Sequence, residues 1–148
     1  MNVLICTSLP FVPAALAHKM IPQGINVISV SSSDEIKKAM PVIGRICLID
    51  DLHLEKMELI RLTSDIKKFF PECRFVLLSS NADISVMRLF IKMGFDAVLP
   101  SSWQPELLAT KFLEFIQKYC KEVDQRKYIR VKTDPQEPTK IKLSETSS

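Results

Sequence analysis

Arg74-Phe-Val-Leu-Leu-Ser-Ser80 is followed, one helix length later, by Met93-Gly-Phe-Asp-Ala-Val-Leu-Pro-Ser-Ser-Trp-Gln-Pro-Glu-Leu-Leu108. The first run is apolar on successive residues, as a strand covered on both faces must be. Asp83 stands ahead of Val86, Phe90 and Met93, whose spacings of four and three predict a capped amphipathic helix over 83–93. Gly94 stops that helix just past its last turn. A second apolar run, Ala97–Leu99, reads as the next strand. Gln104-Pro105-Glu106 then opens another helix, with proline in the first turn and a carboxylate near the positive end of the dipole.

Working outward, the same alternation of short apolar runs and longer helical periods extends to the N-terminus. Further strands are read at Asn2–Cys6, Ile25–Val30 and Ile46–Ile49, and the fourth spans Arg74–Leu78. Helices are predicted near 11–20, 33–40, 54–69, 83–93 and 105–121, with Ser33 and Ile36 marking the second. Five βα units with one helix per crossover make an α/β fold, the flavodoxin-like (βα)5 doubly wound parallel sheet of order 2-1-3-4-5. An extended segment is expected at the C-terminus. In such a sheet a site lies at the carboxyl ends of the strands, here Thr7-Ser8, Asp50-Asp51, Ser79-Ser80 and Pro100-Ser101.

Composition narrows the classes. At 148 residues, 47% apolar and 25% charged, the chain can bury a core of ordinary size. A formal charge of +3 is too small to make nucleic acid or an anionic membrane its main partner. No apolar run has the length of a bilayer span, and no basic segment precedes an apolar stretch at the N-terminus, so a cytoplasmic address without membrane insertion is expected. Cys6, Cys47, Cys73 and Cys120 form no C-x-x-C pair and read as reduced core thiols. The domain is expected to end near 121. Residues 122–148 carry few large apolar side chains, two prolines (Pro135, Pro138) and a Ser/Thr-rich end, and cannot bury enough surface to fold alone.

The strand-end residues and the two quoted stretches resemble a response-regulator receiver domain, the CheY-like family of bacterial two-component signalling, over about residues 2–120. That resemblance implies transfer of a phosphoryl group to Asp50, with Mg²⁺ held by an acidic pair after the first strand, a lysine after the fifth and a hydroxyl, here Ser79, after the fourth. The acidic pair is replaced by Thr7 and Ser8, whose neutral hydroxyls compete poorly with water for Mg²⁺. The lysine position holds Ser101 and the following proline position Ser102. Asp50, Asp51, Ser79 and Ser101 are therefore read as a vestigial phosphoacceptor site, with no metal and no catalytic residue. The adjacent carboxylates of Asp50 and Asp51 would otherwise invite an acid/base reading.

Asp124-Gln-Arg-Lys-Tyr-Ile-Arg-Val131 resembles the opening of a PilZ domain, the family that binds cyclic di-GMP. Arg126 and Arg130 keep its R-x-x-x-R spacing, and guanidinium forks suit phosphates and guanine edges. The family's second motif, [D/N]-x-S-x-x-G, has no counterpart here because the last glycine is Gly94. Residues 122–148 are thus read as a linker and a truncated PilZ start, with Ile141-Lys-Leu143 as extended chain. No cofactor is expected in this chain, and cyclic di-GMP would be a ligand only if the PilZ domain continues.

Leu108, Phe112, Phe115 and Tyr119 make an apolar stripe along the last helix, most of it core. The resemblance implies a homodimer through the face of helix four, strand five and helix five, near Trp103, or docking on another signalling protein. His18 and His53 are isolated, which argues against zinc, and no Gly-rich phosphate loop is present. The favoured reading is a non-enzymatic signalling module, a pseudo-receiver within a cyclic di-GMP effector. A receiver phosphorylated on Asp50 and a stand-alone protein-interaction domain are its alternatives.

Overall fold

A computed structural model of the chain describes residues 1–52, 54–81 and 83–132, with backbone alone for 124–132. Its strands are β1 (Asn2–Cys6), β2 (Asn26–Ser29), β3 (Ile46–Asp50), β4 (Arg74–Ser79) and β5 (Ala97–Pro100). Its helices are α1 (Val12–Met20), α2 (Ser33–Ile43), α3 (Lys56–Phe69), α4 (Ile84–Lys92) and α5 (Pro105–Lys132), and a 3₁₀ turn, Ile21–Gln23, follows α1. All four strand pairings are parallel and the order is β2-β1-β3-β4-β5, as the alternating pattern predicts. Contacts divide the chain after Leu113. Among the described residues no helix is long and apolar enough to cross a membrane.

The three inner strands explain the unbroken apolar runs. Every residue of β3 is buried, because helices cover both faces. Leu4, Cys47, Ile49, Phe75 and Leu77 face one side, against Ile36 and Met40 of α2, Leu59, Leu62 and Ile66 of α3 and Phe90 of α4. The alternating positions Val3, Ile5, Leu48, Val76 and Leu78 are buried on the other side, where α1 contributes Val12, Leu16 and Met20. The edge strand β2 is only half buried.

Helix ends show local chemistry. Ser32, not Ser33, caps α2, its hydroxyl accepting from the Glu35 N–H at 3.2 Å. Glu35 reaches back to the Ser31 N–H at 2.6 Å and the Ser31 hydroxyl at 3.1 Å, and these donors hold its carboxyl below the usual range. Ser33 opens the helix and donates to Glu58 at 2.9 Å. Asp83 caps α4 as read from sequence. Gly94 follows with φ +118°, a conformation open to glycine, and an added Cβ would lie 3.2 Å from Thr63 Cγ2.

One polar knot was not legible in the sequence. Asp96, before β5, accepts from the Phe75 N–H at 2.8 Å and from Lys67 at 2.7 Å, and Lys67 also donates to the Gly94 carbonyl at 2.7 Å. A single carboxylate thereby ties α3, β4 and the turn into β5 together.

Two expectations change. The last helix runs to Lys132 and takes in Arg126 and Arg130, because residues 121–132 are rich in helix-forming Lys, Glu, Gln and Arg and meet no Gly or Pro before Pro135. The composition shift marks where large apolar side chains thin out, which is a different boundary. Pro135, Pro138, Ile141, Leu143 and His53 lie outside the described residues. Of the four thiols, Cys6, Cys47 and Cys73 are buried but Cys120 is exposed. It follows buried Tyr119 on α5, and one residue turns a helix by about 100°, off the apolar stripe.

Burial sets thiol chemistry. It pushes Cys6 up to about 11, with the Asp50 charge adding to the effect, and raises Cys47 and Cys73 as well. With a thiolate fraction of about one in a thousand for Cys6 at pH 8, titration of the native chain with an aromatic disulfide should show one rapid thiol, lost in Cys120→Ser. The other three should react only on unfolding.

Candidate functional site

The carboxyl ends of β1, β3, β4 and β5 meet along one edge of the sheet, because parallel strands point the same way. The structure brings Thr7 and Ser8 against Asp50, and Ser79 and Ser80 against Asp51. Asp50 ends β3 with no solvent exposure. Its Oδ2 accepts from the Thr7 hydroxyl at 2.6 Å, from the Ser8 N–H at 2.8 Å and from the Ser8 hydroxyl at 3.4 Å. Thr7 Oγ1 in turn accepts from the Leu9 N–H at 3.1 Å, which aims its own proton at Asp50. A buried carboxylate without such donors would cost several kcal/mol, on the order of an unpaired charge.

Asp51 faces the other way. Both of its oxygens lie 3.0 Å from the Ser80 N–H, and Oδ2 accepts from the Ser80 hydroxyl at 3.1 Å. The Ser79 hydroxyl lies 3.4 Å from Asp51 and 2.9 Å from the Asn81 carbonyl. With one proton to give, it serves the nearer acceptor. The Asp51 N–H donates to the Leu78 carbonyl at 3.1 Å, and the Ser101 N–H to the Ser79 carbonyl at 2.8 Å. Ser101 thus joins the set through its backbone, and its side chain brings no positive charge to the edge.

This donor set does not fit Mg²⁺. The ion takes carboxylate and phosphate oxygens in near-octahedral geometry. Here the residues around Asp50 present hydroxyl and amide protons to it, and among the described residues no three His, Cys, Asp or Glu side chains gather as a metal centre would require. No step through a metal follows from these residues.

Asn81 escaped the sequence reading, and Ser80 entered it only as part of a strand end. Their signal was present, since Ser79-Ser80-Asn81 followed by Asp83 is a run of residues that hydrogen-bond their own backbone in turns. Arg126 and Arg130 lie on the α5 backbone, and their side chains are outside the described residues. A separate cavity of about 580 Å³ lies between α1 and the start of α5, with Phe11, Ala14, Ala15, His18 and Glu106 in its wall. None of the strand-end residues lines it. His18 is a surface residue of α1.

No protein-family model matches the sequence, and none of the curated proteins matches it. Solved structures do match in shape. A response regulator from Thermotoga maritima shares 17% identity at a TM-score of 0.65, covering 78% of this chain and 97% of that one. A CheY-like receiver domain protein from Methanospirillum hungatei shares 19% at 0.64, covering 82% and 97%. NtrX from Brucella abortus shares 15% at 0.71, covering 90% of this chain and 30% of its own. The chain has the receiver fold of response regulators, and at these identities the likeness extends to the fold alone.

The Asp50 cluster makes a stability prediction. Thr7→Val keeps the shape and removes one donor to a buried carboxylate, so urea unfolding should show a loss of about 1–3 kcal/mol.

Proposed function

We propose that this chain is a pseudo-receiver, a non-catalytic signalling module that has kept the receiver fold as a surface for dimerisation or partner docking and has given up phosphotransfer. The observation that carries this is the sealed state of Asp50, fully buried and held by Thr7 and Ser8 at 2.6 and 2.8 Å. An acceptor carboxylate has to meet a phosphodonor, and the incoming charge needs cations around it. At the edge of this sheet those places hold threonine and serine. Asp51 is no substitute acceptor, because its oxygens are spent on the β4–α4 turn.

The dimerising surface we favour is the face of α4, β5 and α5. In its support, α4 leaves Ile84, Leu89 and Ile91 exposed, and β5 is an edge strand. The cyclic di-GMP context belongs to the proposal on sequence alone, through the R-x-x-x-R spacing of Arg126 and Arg130.

Two measurements test the module. Incubation with Mg²⁺ and a small acyl phosphate should leave the intact mass unchanged. A stoichiometric phosphoryl adduct mapped to Asp50 would restore the receiver reading. Sedimentation equilibrium should show a dimer that Ile91→Asp dissociates, whereas a monomer at all concentrations removes the dimerisation arm and leaves docking on a different protein.

A further inference from the structure

Hydrogen bonds of the β4–α4 turn step from Ser79 to Ser85 inside α4, and Asp51 holds Ser80 where that series begins. Asp51 accepts from the N–H and hydroxyl of Ser80 at 3.0–3.1 Å. Ser79 donates to the Asn81 carbonyl at 2.9 Å and accepts from the Asn81 N–H at 3.2 Å. The Asn81 side-chain oxygen accepts from the Asp83 N–H at 2.9 Å. Asp83 accepts from the N–H and hydroxyl of Ser85, each at 2.9 Å, and those donors hold its carboxyl below the usual range. The links within the turn join residues two apart, whereas the Asp51–Ser80 link crosses from the end of β3 to the end of β4. Among the described residues the start of the turn is therefore tied to the sheet twice, by Ser79 at the end of β4 and, across strands, by the Asp51 side chain.

The helix at the end of this series is lightly held by its own packing. Phe90 alone among the α4 residues is buried, with Val86 and Met87 partly so, while Ile84, Leu89 and Ile91 are exposed. A short helix with one buried anchor depends on its N-terminal attachment for its position. From these two observations we propose that Asp51 is a positioning residue that holds the turn and α4 in a single arrangement, so that the exposed α4 face is presented in a fixed register without any signal arriving at Asp50. This deepens the docking reading above and rests on it for its purpose, while its geometry stands apart.

Hydrogen exchange read by mass spectrometry on the full chain tests it. Asp51→Ala should speed exchange in peptides covering residues 83–92 by tenfold or more, with β1 and β3 unchanged. Asp51→Asn, which keeps one oxygen to accept from the Ser80 N–H, should fall between Ala and wild type, and carries the test should the alanine variant not fold. Asp50→Asn should leave the α4 peptides slow relative to Asp51→Ala. Wild-type exchange in α4 for both Asp51 variants, an equal rise across the sheet and α4, or Asn no slower than Ala would each overturn the proposal. Sedimentation of the unaltered chain reports separately on dimerisation, so failure of that reading and failure of this one are distinguishable.

Discussion

A carboxylate at the end of a strand covered on both faces has no water to bind, so the protein has to supply its donors. Asp50 is in that position, and much of the arrangement at this edge follows from meeting its needs. Thr7 and Ser8 follow the neighbouring strand β1, whose register puts Cys6 beside Ile49 and so brings the residues after them together. This geometry satisfies a charge internally, and hydroxyls that make poor metal ligands make good donors.

Adjacent acids in sequence are not adjacent acids in chemistry. Side chains on consecutive strand residues point to opposite sides. Asp50 accepts from Thr7 and Ser8 after β1, whereas Asp51 accepts from Ser80 in the β4–α4 turn. An acid/base pair would need both carboxyls directed at one reacting atom. The two serve instead as staples, one between β1 and β3 and the other between β3 and the turn after β4. Asp96 performs a third such task at the opposite edge, where it joins α3 to β4.

The likeness to solved receiver domains fits this picture at the level of the fold. At 17–19% identity the likeness is one of fold, and agreement in fold is separate from the identity of the residues at the strand ends. A parallel sheet tolerates this separation because its stability comes from apolar faces remote from the strand ends. Residues at the strand ends can therefore vary at little cost to the core, provided a buried carboxylate such as Asp50 has donors.

The sequence by itself determined the element order, the parallel sheet and the residues that arrive at its carboxyl edge, because these follow from apolar periodicity, caps and turn residues that act over a few positions. It also placed Thr7, Ser8 and Ser101, none of them charged, at that edge. Only the tertiary structure decided that Thr7 and Ser8 donate to Asp50, that Asp51 holds Ser80, and that Asp96 gathers Lys67 and Phe75. Each of those contacts joins residues more than twenty positions apart, and hydrogen-bonding side chains of this kind carry no periodicity by which a partner could be read. The exposure of Cys120 belongs with them. Which face of a helix is covered, and where covering ends, depends on the neighbouring elements as well as on composition.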